Sequence, residues 1–187
     1  MRIVLLGAPG SGKGTQATIL TKTLNVPHIS TGVLLRQAVQ DQTELGQQAE
    51  AIMNRGELVP DDLMLALIKE RLSQDDAKPG FILDGYPRNL SQAEALDGVL
   101  AELNAPVEHA LLIHVDVDHI VDRLAKRAEL ENRSDDTPEV IRKRMQVYEE
   151  KTAPVTGYYQ QQNKLTQVDG LGDIEEINAR ISAALGH

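Results

Sequence analysis

Residues 7–15 read Gly-Ala-Pro-Gly-Ser-Gly-Lys-Gly-Thr. That set of residue types, in that order, is suited to holding phosphate. Glycines let the backbone curl until successive N–H groups point inward, and a helix opening behind the turn adds the partial positive charge of its N-terminus. Gly10, Ser11, Gly12 and Gly14 would line such a cradle, Lys13 would reach the terminal phosphates, and the Thr15 hydroxyl would lie on or near a magnesium ion. The run departs by one place from the usual GxxxxGK[ST] pattern, because Gly14 separates the lysine from the threonine. A glycine-rich strand-to-helix turn with no ligand is the plain alternative. Four glycines, a lysine and a threonine in register after an apolar run weigh against it.

A second concentration of charge lies further on. Arg123, Lys126, Arg127, Arg133, Arg142, Lys143 and Arg144 are seven cations within 22 residues of a chain whose net charge is −9. A solvated face with paired charges is the plain reading. Arginine occupies the spaced positions, and Arg123 and Arg127 are four apart, so their like charges would sit side by side on one helix face. An anion between them would relieve that repulsion. Asp84 ends an aliphatic run, Phe81–Asp84, where a carboxylate could face a hard cation such as magnesium or simply cap a turn.

These groups need a scaffold. Arg2–Leu6, Phe81–Asp84 and Ala110–Val117 read as buried parallel strands, with Leu165–Val168 a fourth and Pro27–Ser30 a weak fifth. Helical patterns separate them. Gly14–Leu24 carries Ala17, Leu20 and Leu24 on one side, and Leu63, Leu67, Ile68 and Leu72 form another stripe. Ser91 and Glu94 read as a capping box ahead of Ala95, Leu96, Val99, Leu100 and Leu103. Thr137-Pro138 opens a helix whose face holds Ile141, Met145, Tyr148 and Thr152, with Pro154 as its stop. Ile174–Leu185 is a closing helix. Strands alternating with helices imply an α/β three-layer sandwich on a parallel sheet. Residues 31–59 and 126–136 break the rhythm and read as appendages.

Composition narrows the function. There is no cysteine, which excludes disulfides and thiolate metal sites. The five histidines are scattered without an HxxxH pair, so no zinc site is expected. The acidic balance argues against a nucleic-acid partner. No apolar run approaches a membrane span or a signal sequence, so no membrane partner and a cytoplasmic location are expected. Nothing demands an oligomer, so a monomer is expected.

The variant loop GxPGxGKGT, together with ISTGVLLR at 29–36, GELVPD at 56–61, FILDGYPRNLSQAEAL at 81–96 and DRLAKR…NRSDD…IRKRM at 122–145, resembles the adenylate kinase family and its near relatives among the nucleoside monophosphate kinases. The resemblance covers essentially the whole chain, and the segments match in order. It implies a phosphate-loop fold with a five-stranded parallel sheet. Residues 1–29, 60–125 and 137–187 would form the nucleotide-binding core, 30–59 a mobile segment for the nucleoside monophosphate, and 126–136 a short mobile lid without the zinc that longer lids sometimes carry. The implied reaction is reversible Mg²⁺-dependent transfer of a phosphoryl group from ATP to AMP, giving two ADP.

The resemblance also implies roles. Arg123 would pack against the donor adenine beside Gly172, and Arg127 would meet donor phosphates. Arg88, Arg133 and Arg144 would meet the transferring and acceptor phosphates. Thr31, Arg36, Glu57, Leu58, Val59 and the Gly85-Tyr86-Pro87-Arg88 segment would hold AMP, with Gln92 on the adenine edge. Asp84 would stand near Mg²⁺, through water, together with Thr15. Val33 occupies a position where the family usually has aspartate.

Three rivals remain. A UMP/CMP kinase shares the reaction, and Pro87-Arg88-Asn89 leans that way, while Thr31 and Gln92 lean toward AMP. A non-catalytic nucleotide switch of the GTPase kind would need Asn-Lys-x-Asp, and Asn163-Lys164-Leu165-Thr166 lacks the aspartate. A shikimate-like kinase would share the loop but not the DGYPR segment.

Overall fold

A computed structural model describes residues 1–116, 119–120, 123–124 and 137–186 of the chain. Five strands form one parallel sheet: β1 (Arg2–Leu6), β2 (His28–Ser30), β3 (Phe81–Asp84), β4 (His109–His114) and β5 (Leu165–Asp169). Their order across the sheet is β2-β3-β1-β4-β5. All four pairings are parallel. Parallel strands are buried on both faces, which is why these runs are almost continuously aliphatic. Val4, Leu6, Phe81, Leu83, Ala110 and Leu112 face one apolar cluster. The alternate residues Ile3, Leu5, Ile82, Leu111 and Ile113 face the other.

Eight α-helices lie wholly among the described residues. α1 (Lys13–Leu24) and α8 (Ile174–Leu185) cover one face, through Ala17 and Leu20 and through Ile177 and Ile181. α4 (Asp61–Leu72), α5 (Leu90–Glu102) and α7 (Pro154–Gln161) cover the other, through Ile68, Leu96 and Tyr159. α2 (Thr31–Gln40) and α3 (Glu44–Asn54) fill the interval between β2 and α4 with no strand, as the sequence predicts. They cross closely at Gly46, where a Cβ would collide with the Ala38 carbonyl. α6 (Pro138–Val147) starts from Thr137, whose side chain accepts from the Val140 amide. None of the described helices is long and apolar enough to cross a membrane.

Three local expectations need correction. The capping box at Ser91 and Glu94 does not form. Asn89 caps α5 instead, its side chain accepting from the Gln92 amide, so Ser91 already lies inside the helix. Pro154 does not stop the chain's helical course. A π-helical turn over Tyr148–Thr152 re-phases it, and Pro154 opens α7 at the position where a missing N–H costs nothing. β4 ends at His114 rather than Val117, because its partner β5 ends at Asp169. The stretch 126–136 expected to form a lid, with Lys126, Arg127, Arg133, Asp135 and Asp136, lies outside the described residues.

The topology creates a crevice. After β1 the chain passes to β2 by α1 on one face. After β3 it passes to β4 by α5 on the opposite face. Open parallel sheets bind ligands where successive connections diverge in this way, at the carboxyl ends of the strands. Here that point is the gap between Leu6 and Asp84.

Candidate active site

The 7–15 loop leaves β1 directly into that crevice. Gly12 is the N-cap of α1 with φ of 94°, and Gly10 has φ of 81°. Both values lie in the left-handed region that glycine adopts without steric cost. At Gly10 a Cβ would also meet the Leu124 side chain at 2.8 Å. Lys13 folds over the loop, its ammonium donating to the carbonyl oxygens of Gly7 and Ala8, both at 2.8 Å. Ser11, expected in the cradle, is fully buried and lines neither cavity; its N–H donates to the Ala8 carbonyl at 3.1 Å. Thr15 and Gly14 are exposed on the first turn of α1.

Asp84 faces this loop from the end of β3. An ideal Cβ on Gly14 would lie 3.7 Å from its Oδ2, so a glycine after the lysine leaves room beside the carboxylate. Burial on its own would raise the Asp84 pKa. The hydrogen bond from His28, at 3.4 Å, and the charges of Lys13 and Arg88 outweigh burial and hold it below its ordinary value. The site therefore keeps a carboxylate beside a lysine.

A cleft of about 950 Å³ runs over these groups. Gly10, Gly12, Lys13, Gly14 and Thr15 line its floor, and Asp84, Arg123 and Gly172 line its walls. The Arg123 guanidinium donates to the Gly170 carbonyl at 2.9 Å and to that of Ser11 at 3.5 Å. Gln16, buried in α1, donates to the Ile174 carbonyl at 2.9 Å and accepts from Asn178. It thereby holds the Gly172 loop beside the phosphate loop. Val33 lies in the cleft, 56% exposed, and offers no polar atom there.

A smaller pocket opens beside the cleft. Thr31, Leu58, Val59 and Gln92 line it together with Gly85 and Glu57. Arg36, Arg88 and Arg144 line both the pocket and the cleft. Three arginines, from α2, the β3–α5 loop and α6, thus line one junction. Arg88 is held there by donating its Nε–H to the Gly85 carbonyl at 2.7 Å, and its own carbonyl accepts from Thr152 at 2.7 Å. Gly85 makes the turn possible at φ of 82°, with Thr31 Oγ1 only 2.5 Å from where a Cβ would sit. Gly56 is similar, with φ of 69° and its Cβ position 3.1 Å from the Arg144 Cγ.

The structure brings most of the sequence-predicted residues together, with a few exceptions. Tyr86 is buried in the core and lines neither cavity, whereas Pro87 faces the cleft. Glu57 lines the pocket while its carboxylate pairs with Arg55 at 3.0 Å. Arg142 and Lys143 are exposed on α6, so the solvated-face reading suits them, while Arg144 turns inward. Asn89 has a local structural task as the cap of α5, which removes much of its weight as a pointer to pyrimidine nucleotides.

Sequence reasoning gave no site role to Asp61, His28, Thr152 or Gln16. Asp61 accepts from Gln92 at 2.8 Å and from Asn89 at 3.0 Å. None of these partnerships has a local sequence signal, because each joins residues at least 28 positions apart.

A phosphate loop at the carboxyl edge of a parallel sheet, an acid on the adjacent strand and an arginine-lined second pocket define the class of phosphate-loop phosphotransferases that act on small molecules. The family model for adenylate kinase matches residues 5–164. An adenylate kinase of Xylella fastidiosa (strain M23) is 54% identical over 186 residues, covering 100% of both chains. Those of Xanthomonas euvesicatoria pv. vesicatoria (strain 85-10) and Stenotrophomonas maltophilia (strain K279a) are 53% and 51% identical, covering 100% and 99% of each chain. The chain belongs to the adenylate kinase family.

Proposed function

We infer that the chain catalyses reversible transfer of the terminal phosphoryl group of ATP to AMP, giving two ADP. The observation that carries this reading is the junction of the cleft and the pocket. Arg36, Arg88 and Arg144 line both, so a donor phosphate in one and an acceptor phosphate in the other would meet among the same cations.

The chemistry needs no protein nucleophile. Phosphoryl transfer passes through a loose transition state with charge spread over the equatorial oxygens, and catalysis is alignment plus neutralisation. The backbone N–H groups of Gly10 and residues 12–15 and the Lys13 ammonium hold the donor phosphates. Arg123 and Gly172 flank the donor base. Thr31, Leu58, Val59 and Gln92 receive the acceptor base, and Arg36 and Arg88 its phosphate. Planar guanidinium forks suit phosphate oxygens better than ammonium groups do. Arg144 neutralises the group in flight, and the sequence match adds Arg127 and Arg133.

Among the described residues no cluster of three His, Cys, Asp or Glu could hold a metal alone. A single carboxylate at Asp84 with the Thr15 hydroxyl fits a magnesium ion that the nucleotide carries, met in part through water. Bound there, Mg²⁺ would supply charge neutralisation between the donor phosphates. Water is a competing acceptor, so the site must exclude it before transfer. Residues 30–59 and 126–136 are the segments we propose to close, and relaxation dispersion would find them rigid on the turnover timescale if this were wrong.

The test is coupled detection of ADP formed from Mg-ATP with AMP, CMP, UMP and GMP in turn. Rapid turnover confined to AMP is expected. Turnover of CMP or UMP instead would overturn the base assignment, and silence with all four would overturn the reaction.

A further inference from the structure

Gln92 is 2% exposed, yet it lines the acceptor pocket. An amide can be turned end for end with little change of shape, and the turn exchanges its donor for its acceptor. In this chain both ends are already assigned. The Arg88 backbone N–H donates to Oε1 at 2.7 Å. The Asp61 carboxylate accepts from Nε2 at 2.8 Å. A backbone N–H can only donate and a carboxylate can only accept, so the orientation is forced. Asp61 is itself held by the Asn89 side chain, which donates to both carboxylate oxygens at 3.0 and 3.3 Å.

Each end of the amide keeps one further capacity: a second lone pair on Oε1 and a second N–H on Nε2. Together they present an acceptor beside a donor, in a fixed order, to whatever base enters the pocket. The Watson–Crick edge of adenine answers with an amino group beside a bare ring nitrogen. Hypoxanthine and guanine answer with a carbonyl beside a ring N–H, the reverse order. A freely turning glutamine would satisfy either edge.

We propose that Asp61 is a specificity-determining positioning residue: by fixing the orientation of the Gln92 amide from behind the pocket, it makes the site select a 6-amino purine over a 6-oxo purine. The proposal rests on the reading that the acceptor base occupies this pocket. Asp61 does not line the pocket, so it acts on the base through Gln92. A buried site with its hydrogen-bond direction fixed discriminates strongly, because the wrong edge leaves buried groups unpaired.

The test compares AMP with inosine monophosphate, which differs only at that edge, as acceptors for the full chain. In Asp61→Asn the new amide can donate or accept, so one of the two locks on Gln92 is released. The AMP-to-IMP ratio of kcat/KM should fall by at least about tenfold, the size expected when a hydrogen bond to a charged group no longer enforces direction. A merely structural role would lower kcat/KM for both nucleotides and leave their ratio unchanged, and that result would overturn the proposal. Asp61→Ser carries the same test should Asp61→Asn not fold, since a hydroxyl also donates or accepts and is well tolerated at a helix start. Gln92→Ala separates the two layers of the argument. If it collapses the ratio while both Asp61 variants preserve it, the pocket reading stands and the proposal falls. If Gln92→Ala leaves the ratio intact, the base lies elsewhere and both fall.

Discussion

The cleft floor and the acceptor pocket are built from different materials. The floor comes from a single glycine-rich loop within residues 7–15, with one lysine bonded to carbonyls of the same loop. The pocket draws on Thr31, Arg36, residues 56–59, Gly85, Arg88, Gln92 and Arg144, and side chains distant in sequence pin it: Asp61 holds the Gln92 amide and Thr152 the Arg88 carbonyl. A backbone cradle recognises charge, which every nucleoside triphosphate shares. A side-chain lattice can recognise one base edge. A donor site that tolerates several triphosphates and an acceptor site that selects one base are the expectation that follows from how each is made.

Lys13→Met should give the largest effect. It removes a cation from the centre of the charge that develops in transfer, so kcat should fall by about 10²–10³, the usual loss for one such donor. Because Lys13 also bonds its own loop, KM for ATP should rise as well. ADP formation under saturating nucleotide separates the two effects. A loss in KM alone would mean that the lysine only binds and would narrow the contrast between the two regions.

Glycine substitutions sharpen the contrast through stability. Gly12→Ala meets only the left-handed backbone, since nothing lies within 4 Å of its Cβ, and should cost about 1–2 kcal/mol. Gly85→Ala meets the same backbone problem and Thr31 Oγ1 at 2.5 Å. It should cost about 2–4 kcal/mol, with KM for AMP raised as Thr31 is displaced. Chemical denaturation of the two variants checks the order. Equal costs would show that the pocket yields as easily as the loop.

How much was legible follows the same division. β1, β3 and the phosphate loop could be read because burial and backbone geometry act on contiguous residues. The start of α6 at Thr137-Pro138 was legible for the same reason. The cap of α5 was misplaced by two residues because Asn89 and Ser91 offer equivalent local chemistry, and the Asp61 partner that favours Asn89 comes from another helix. Thr31 and Arg36 could be named only through resemblance, since nothing local distinguishes them from ordinary residues of α2. Asp61 and His28 could not be found at all, because their importance lies in what the fold places against them.

Asp84 links the two regions, and its charge sets an acid limb for stability. Its native pKa lies below the ordinary carboxylate value of 3.8, so the unfolded chain binds more protons as pH falls toward that range. Stability that Asp84 contributes is present above the unfolded value and is lost as pH falls through the lower native value. Unfolding free energies of wild type and Asp84→Asn should therefore differ at pH 7 and converge below about pH 4. A difference that persists unchanged into acid would mean that the His28 contact is a matter of packing rather than charge.

Tyr86 provides the smallest and most discriminating test. Its hydroxyl is buried with no hydrogen-bond partner among the described residues. Burial, with the nearby Asp61 carboxylate acting in the same direction, pushes its pKa up to about 12. A buried hydroxyl with no partner contributes only its desolvation cost. Tyr86→Phe should therefore leave stability unchanged or raise it by up to about 1 kcal/mol. KM for AMP should not move, because the ring packs in the core beneath the pocket rather than lining it. The match of Gly85-Tyr86-Pro87-Arg88 to a nucleotide-binding segment makes no distinction among its four residues. The fold does, since Gly85 and Arg88 face the pocket, Pro87 faces the cleft and Tyr86 supports them from below. A rise in KM for AMP in Tyr86→Phe would place the hydroxyl in the acceptor site and erase that distinction.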